Sequence, residues 1–466
     1  MMMKKKKLLI LSLVAVCCMS LFSCGSNSDD EDPGKPKEPT TPTTEEAMAP
    51  AKQKEYLETV AKELMNDMPS SDFKNIADLG TYVDETYGDD YNWDGVSDWA
   101  QDAFDGAREA LGTKTTEKVH DGYYAFNYIF TNYKAVLLAS NFTGHFTAKN
   151  GKWTRTNADD LQFIFKDKTG QECIVRLQTS GSVKKVYAAN IDEYQSYGYD
   201  DGVSNEYFDR TQLTIGVPEK IVATLTQGGK QVVQTTVNVD LGSITGERFD
   251  ISSNSLTLST VTQLNNGYKI DLSQVAYRAN QKASVNFNIS KNGTSLLTVA
   301  FASDINDIPS CNVDAFSATN FDFDKYNTDY ANAKNAFVKV DVLGKVQVQG
   351  LMANSRRFAD YIDAAEDNEK SEDSFKSYVN LANNLTDINL FYNGNSVKQA
   401  TVKIEAFHHD AGGYWGEAYW YAEPVIHFFD GSSYTTFDVF FNEVDFKNTF
   451  DDFNSLVDRY QQLFDW

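Results

Sequence analysis

The chain has 466 residues, 42 of them basic and 66 acidic, for a formal charge of −24. That length exceeds what one hydrophobic core serves, since cores stop growing near ~250–300 residues, and a 41% hydrophobic fraction excludes a mostly disordered chain. The acidic surplus argues against nucleic acid as a partner, because phosphate contacts need clustered Lys and Arg.

Residues 1–23 read as an export signal. Lys4 to Lys7 form a basic head, and an apolar run from Leu8 through Phe22 follows. The run is short for a bilayer span but suits a signal. Its end, Leu21-Phe22-Ser23-Cys24-Gly25, resembles a bacterial lipobox. The resemblance implies that Cys24 is acylated and becomes the new N-terminus. Removing residues 1–23 takes away four lysines and no acid, leaving −28. The acidic segment Ser26-Asn27-Ser28-Asp29-Asp30-Glu31-Asp32 is similar to the surface-export signal of Bacteroidota lipoproteins. That implies an outer-membrane anchor facing the cell exterior, with the periplasmic face as the alternative. Residues 24–50 then form an acidic, Pro/Thr-rich tether that favours extended backbone.

The region 51–140 reads as mainly helical. Leu57, Val60, Ala61, Leu64, Met65 and Met68 recur at helical spacing up to Pro69. Ser70 or Ser71 opens a second helix with Phe73, Ile76, Ala77 and Val83. A third carries Trp93, Val96, Trp99, Ala103 and Phe104 toward Gly112. The run Phe126 to Leu137 fits helix or strand. From 141 to 304 the period becomes two, broken by Asn150-Gly151, Thr169-Gly170, Gly228-Gly229, Asn266-Gly267 and Asn292-Gly293. These dipeptides supply the positive φ of tight hairpins, so the strands should form an antiparallel meander. From 305 to 466 helices around Phe358–Ala365 and after Ser371 precede further strands and Asn393-Gly394. Phe450, Phe453, Leu456, Val457, Tyr460, Leu463 and Phe464 complete an amphipathic C-terminal helix. The fold class is α+β: antiparallel sheet packed with amphipathic helices, the last three regions forming separate domains or one continuous unit.

Four constellations carry possible chemistry. Asp90, Asn92, Asp94 and Asp98, with Gly95 between, resemble the calcium loops of thrombospondin-type-3 and EF-hand-like repeats, which implies a bound Ca²⁺. Position twelve is Gln101 where those loops place an acid, and the motif occurs once. The same residues fit a helix start with Asp94 as N-cap. No other cofactor is expected. Tyr414, Trp415, Tyr419, Trp420 and Tyr421 offer aromatic faces for a glycan or protein partner, or else pack a sheet. Glu417 and Glu423 flank them and offer a glycosidase acid/base pair. His408-His409-Asp410 with His427 suggests a metal, although neighbouring strand residues point to opposite faces. Cys173 and Cys311 are the two thiols left to pair; Cys173 alternates with Val175 and Leu177 as a buried strand residue would.

The functional expectation is a membrane-anchored, non-catalytic binding or accessory module. The alternatives are a periplasm-facing carrier of an apolar ligand, with helices covering the sheet as in the periplasmic lipoprotein carriers, and a glycan-acting hydrolase.

Overall fold

The computed structural model describes residues 47–88, 91–112, 114–121, 126–200, 202–244, 248–250, 253–278, 281–306, 332–410, 418–429 and 434–436. The chain divides into two compact units. Among the described residues the first takes 47–78, 266–306 and 332–436, and the second takes 79–265.

In chain order, the helices α1 (Pro50–Asp67), α2 (Lys74–Tyr87) and α3 (Asp94–Ala110) come first. Pro69 lies just beyond the end of α1, where its missing N–H and its restraint on the preceding residue oppose further helix. Among the described residues nine strands of the second unit follow. β1 (Thr115–Asp121) and β2 (Phe126–Leu137) pair antiparallel, so the run that fitted either element is a strand. β3 (Gly144–Lys149) and β4 (Lys152–Thr156) turn at Asn150-Gly151, both with φ above +50°. β5 (Leu161–Lys166) leads to two long strands, β6 (Glu172–Asp200) and β7 (Val203–Gln227), then β8 (Lys230–Asp240) and β9 (Leu256–Leu264).

This sheet is mixed, which corrects the expected meander. β2 runs parallel to β7 and β3 parallel to β5, while the other pairs are antiparallel. β7 is the spine. Its first half, Ser204 to Ile215, lies between β2 and β6; its second half, Lys220 to Gln227, lies between β8 and β6. The change of neighbour falls at Gly216-Val217-Pro218. Proline has no N–H for a second ladder, and β7 passes so close to Leu138 and Val183 that a Cβ at Gly216 would come within 2.8 Å of both. Dipeptide turn signals mark hairpins but cannot say which distant strand closes the other edge, so the parallel pairs were invisible to them.

One face of β3–β6 packs against α2 and α3. Leu79, Tyr87, Phe146, Trp153, Phe165 and Cys173 form this core, joined by Trp99, Phe163 and Leu225. Rings meet at 4.9 Å (Trp99–Phe146) to 5.9 Å (Tyr87–Trp153), mostly tilted or edge-on, as aromatic quadrupoles prefer. At the β5–β6 turn Asp167 accepts hydrogen bonds from Thr169 N (2.8 Å), Thr169 Oγ1 (2.7 Å), Gln171 N (2.9 Å) and Gln227 Nε2 (2.6 Å).

The first unit continues with β10 (Tyr268–Arg278), β11 (Lys282–Lys291), β12 (Thr294–Asn306), β13 (Asn332–Val342) and β14 (Val346–Asn354). A helical hairpin, α4 (Ser355–Asp367) and α5 (Glu372–Asn383), precedes β15 (Thr386–Tyr392), β16 (Ala400–His409), β17 (Tyr419–Phe428) and β18 (Tyr434–Thr436). Asn354 and Ser371 cap the two helices through their side chains. Consecutive strands from β10 to β18 pair antiparallel, so the meander holds in this unit. The C-terminal helix expected at 450–464 lies outside the described residues.

α1 joins this sheet through a polar contact inside an apolar one. Val60 and Leu57 pack on Val346, Tyr392 and Leu390. Gln53, fully buried, donates to Met48 O (2.8 Å) and Gln399 O (2.9 Å) and accepts from the Tyr392 hydroxyl (3.1 Å). Burial pushes the Tyr392 phenol far above its ordinary range.

Two predictions follow from these contacts. Gln53→Leu strands two carbonyls and a hydroxyl in a dry site and should lower unfolding free energy by about 1–3 kcal/mol in urea titration, whereas Lys52→Ala on the solvent side should not. Asp167, held at about 2 against an ordinary 3.8, is favoured ionised by the folded turn, chiefly by Thr169. Its stabilisation is therefore full above about pH 4 and drains away as pH falls toward 2. Asp167→Asn should flatten the fall in melting temperature over that interval.

Candidate functional site: an open tyrosine face

Strand register decides which side chains meet. In the second unit β1, β2, β7 and the distal half of β6 lie side by side, and pairing sorts their residues into rows on one face. Thr115, Asn132, Arg210 and Asp192 make the first row; Glu117, Phe130, Phe208 and Tyr194 the second. Val119, Tyr128, Glu206 and Tyr197 make the third, and the fourth holds Phe126, Ser204 and Tyr199. The end of α3 packs behind the sheet: Arg108 lies 5.0 Å from the Tyr133 ring centroid and 3.3 Å from Glu193, both on the opposite face.

An irregularity makes the rows possible. Tyr194 and Tyr197 are three residues apart and would point to opposite faces of a regular strand. β6 has one extra residue between Tyr194 and Ser196, a bulge that restores Tyr197 and Tyr199 to the face of Tyr194. Two more bulges, at Ser180/Val183 and Tyr187/Ala189, also place their extra residue on β6. Beyond Leu177 the outer edge of β6 has no strand partner among the described residues, and bulges blunt such an edge against chance pairing.

The rings are open to solvent. Tyr194, Tyr197 and Tyr199 are 58%, 56% and 69% exposed, and Val119, across the same face on β1, is exposed too. Phe208 anchors the group, 5.5 Å from Phe130, 5.6 Å from Tyr194 and 6.2 Å from Tyr128. The Tyr197 hydroxyl and Ser204 Oγ are 2.9 Å apart, fixing one ring. At one end Arg210 lies over Phe130 at 3.7 Å, donates to both Asp192 oxygens (2.7 and 2.8 Å) and reaches Glu117 at 3.9 Å. Asp192 above all raises the Arg210 pKa further.

The aromatic run of the first unit is divided by the same rule. Trp420 and Ala422 face α4 and α5, packing with Phe375, Val379, Ile404 and Ala406, and Lys376 lies 4.6 Å from the Trp420 ring centroid. Tyr419 and Tyr421 point the other way, beside His409 (4.9 Å) and Phe407 (5.8 Å). Tyr419, Trp420 and Tyr421 of the expected platform are therefore divided between a packed face and an open one. Burial and, after it, the Glu423 charge push the Tyr421 phenol upward. Glu423 lies opposite Glu405, which is 3.1 Å from His427 Nε2. His408 lies against Trp420 and His409 against Tyr419, each with the rings tilted, so the paired histidines do point apart. Among the described residues no group of three or more His, Cys, Asp or Glu is placed to hold a metal.

In the second unit Asn92 Oδ1 accepts from Asp94 N (3.0 Å) and Asn92 Nδ2 donates to Asp94 Oδ2 (3.1 Å). Asp94 is the first residue of α3 and not its N-cap; the cap position is Trp93, and the Asn92 side chain satisfies the first amide instead. Asp98 is exposed on α3. Cys173 is fully buried in the core. Cys24, Asp90, Cys311, Tyr414, Trp415 and Glu417 lie outside the described residues. The tyrosines of β6 escaped the sequence reading because they fall at mixed spacing; the density of Tyr, Ser, Gly and Asn over 190–207 was the available signal.

Elsewhere in this unit an open cleft of about 610 Å³ is lined by Ser180, Lys184, Glu219, Lys220, Asn238 and Asp240. Its charges are largely engaged with one another: Lys184 Nζ bonds Asp240 (2.6 Å) and Gly242 O (2.6 Å), and Ser182 bonds Glu219. No protein family, curated protein or solved structure matches this chain.

The split between faces has a measurable consequence. Trp420→Ala should cost about 2–4 kcal/mol in urea unfolding, because it empties a packed layer, while Tyr419→Ala should stay within ~0.5 kcal/mol.

Proposed function

We propose that this protein is a membrane-anchored, non-catalytic binding module whose contact surface is the tyrosine face of β1, β2, β7 and β6. The observation that carries this reading is three tyrosines, each more than half exposed, brought to one face by a bulge and backed by Phe208. Exposing large rings on a rigid sheet sacrifices burial that a purely structural hairpin would seek, and Tyr is a common anchor of binding surfaces. An open sheet surface suits an extended ligand such as a glycan chain or a protein surface better than a small molecule, which needs a concave site.

The signal, the lipobox at Cys24 and the acidic residues after it support anchoring by acyl chains, with the folded units held outward by the tether. Among the described residues no helix is long and apolar enough to cross a membrane. The carrier reading draws less support: the core between α2, α3 and β3–β6 is filled by contacting rings, and the open cleft is lined mostly by polar and charged residues.

The test is binding of the full chain to arrays of glycans and of peptides, alongside a Tyr197→Ser/Tyr199→Ser variant with unchanged circular dichroism. The expected outcome is at least tenfold weaker retention of every ligand by the variant. Equal retention would move the contact surface elsewhere, and retention of nothing by the parent protein would remove the reading.

A further inference from the structure

The tyrosine face carries an uneven charge. Among the described side chains its four rows hold three carboxylates, Glu117, Asp192 and Glu206, and one cation, Arg210. Arg210 is already committed to Asp192, to Glu117 and to the face of Phe130. This arrangement is a guanidinium seated on a ring between acids, built from the chain's own residues. Two rows away the same ingredients recur without the cation. Glu206 pairs in register with Tyr197 on one side and Tyr128 on the other, is half-buried between them, and has no ion pair among the described residues.

We infer that the row Tyr128–Glu206–Tyr197 is the seat for an arginine or lysine side chain of a partner polypeptide. The inference rests on the binding reading above and narrows its ligand. A cation over a tyrosine ring gains from the ring quadrupole, and more when a carboxylate lies beside it. Charge complementarity disfavours polyanions such as uronate-rich or sulfated glycans at the Glu206 row, since the cation of these four rows is spent and the next, Lys134, lies beyond the far row. The exposure of Tyr197 and Tyr199 gives a free small cation no enclosing wall, whereas a protein surface laid on the sheet would cover them and desolvate the Glu206 carboxylate. Arginine matches better than lysine because its planar fork both stacks and bonds a carboxylate, as Arg210 does.

The test is isothermal titration of the full chain with an octapeptide of alternating Gly and Arg, with its citrulline counterpart, and with N-acetyl-arginine amide. The arginine peptide should bind, weaken with added salt, and lose about fivefold to tenfold in affinity in Glu206→Gln and again in Tyr197→Ser. Glu366→Gln, an equal charge change on α4, should leave it unchanged. Equal losses in Glu206→Gln and Glu366→Gln would show diffuse acidity alone and overturn the inference. So would citrulline peptide binding as well as arginine peptide, or the single amide binding as tightly as the octapeptide. Array ligands that need Tyr197 and Tyr199 while the arginine peptide does not bind would overturn this inference and keep the binding reading. Ligands indifferent to both tyrosines would overturn both.

Discussion

The pairing of β6 with β7 is the constraint on which the second unit depends. It extends from Cys173–Gln227 to Asp200–Val203, and every other strand placement there refers to it. β7 accepts β2 along one half and β8 along the other, so a single strand joins a meander to a parallel pair. Backbone hydrogen bonds hold the two strands together, while the buried side chains and the turn between them select the register. The side chains then follow with period two, except where β6 takes an extra residue. The bulges are thus more than irregularities: one of them decides whether three tyrosines share a face.

The same alternation acts in the first unit with the opposite result. There β17 keeps a regular period, and neighbouring aromatics are separated. Trp420 becomes part of the layer under α4 and α5, while Tyr419 and Tyr421 join Phe407 and His409 on the other side. A cluster dense in one dimension is dispersed in three, and a looser one is gathered.

Polar groups specify where apolar ones only attract. Hydrophobic contact between α1 and β14–β16 would tolerate sliding, but Gln53 meets Met48 O, Gln399 O and Tyr392 at one position only. The Asp72 carboxylate likewise accepts from Tyr268 (2.8 Å) and Lys291 (2.7 Å), tying the segment after α1 to β10 and β11. Arg210 does this on an open surface, where its aromatic and acidic neighbours also define what kind of group the face accepts.

Much of the local structure was legible in the amino acids. Apolar residues at 3.6 spacing marked α1, α2, α3 and α5, Pro69 marked a stop, and Asn-Gly at 150, 292 and 393 marked turns where both residues adopt positive φ. These are short-range effects, written in sterics and in the spacing of a few neighbours. What only tertiary structure decided was which strands meet across long stretches of chain. The parallel β2–β7 pair joins residues about eighty positions apart, and no local pattern records it. The bulge at Gln195 is equally silent, because one unpaired residue has no residue type that requires it. Yet these two features place Tyr128, Glu206 and Tyr197 side by side, since contact between distant segments is settled by the summed burial and pairing of the whole sheet.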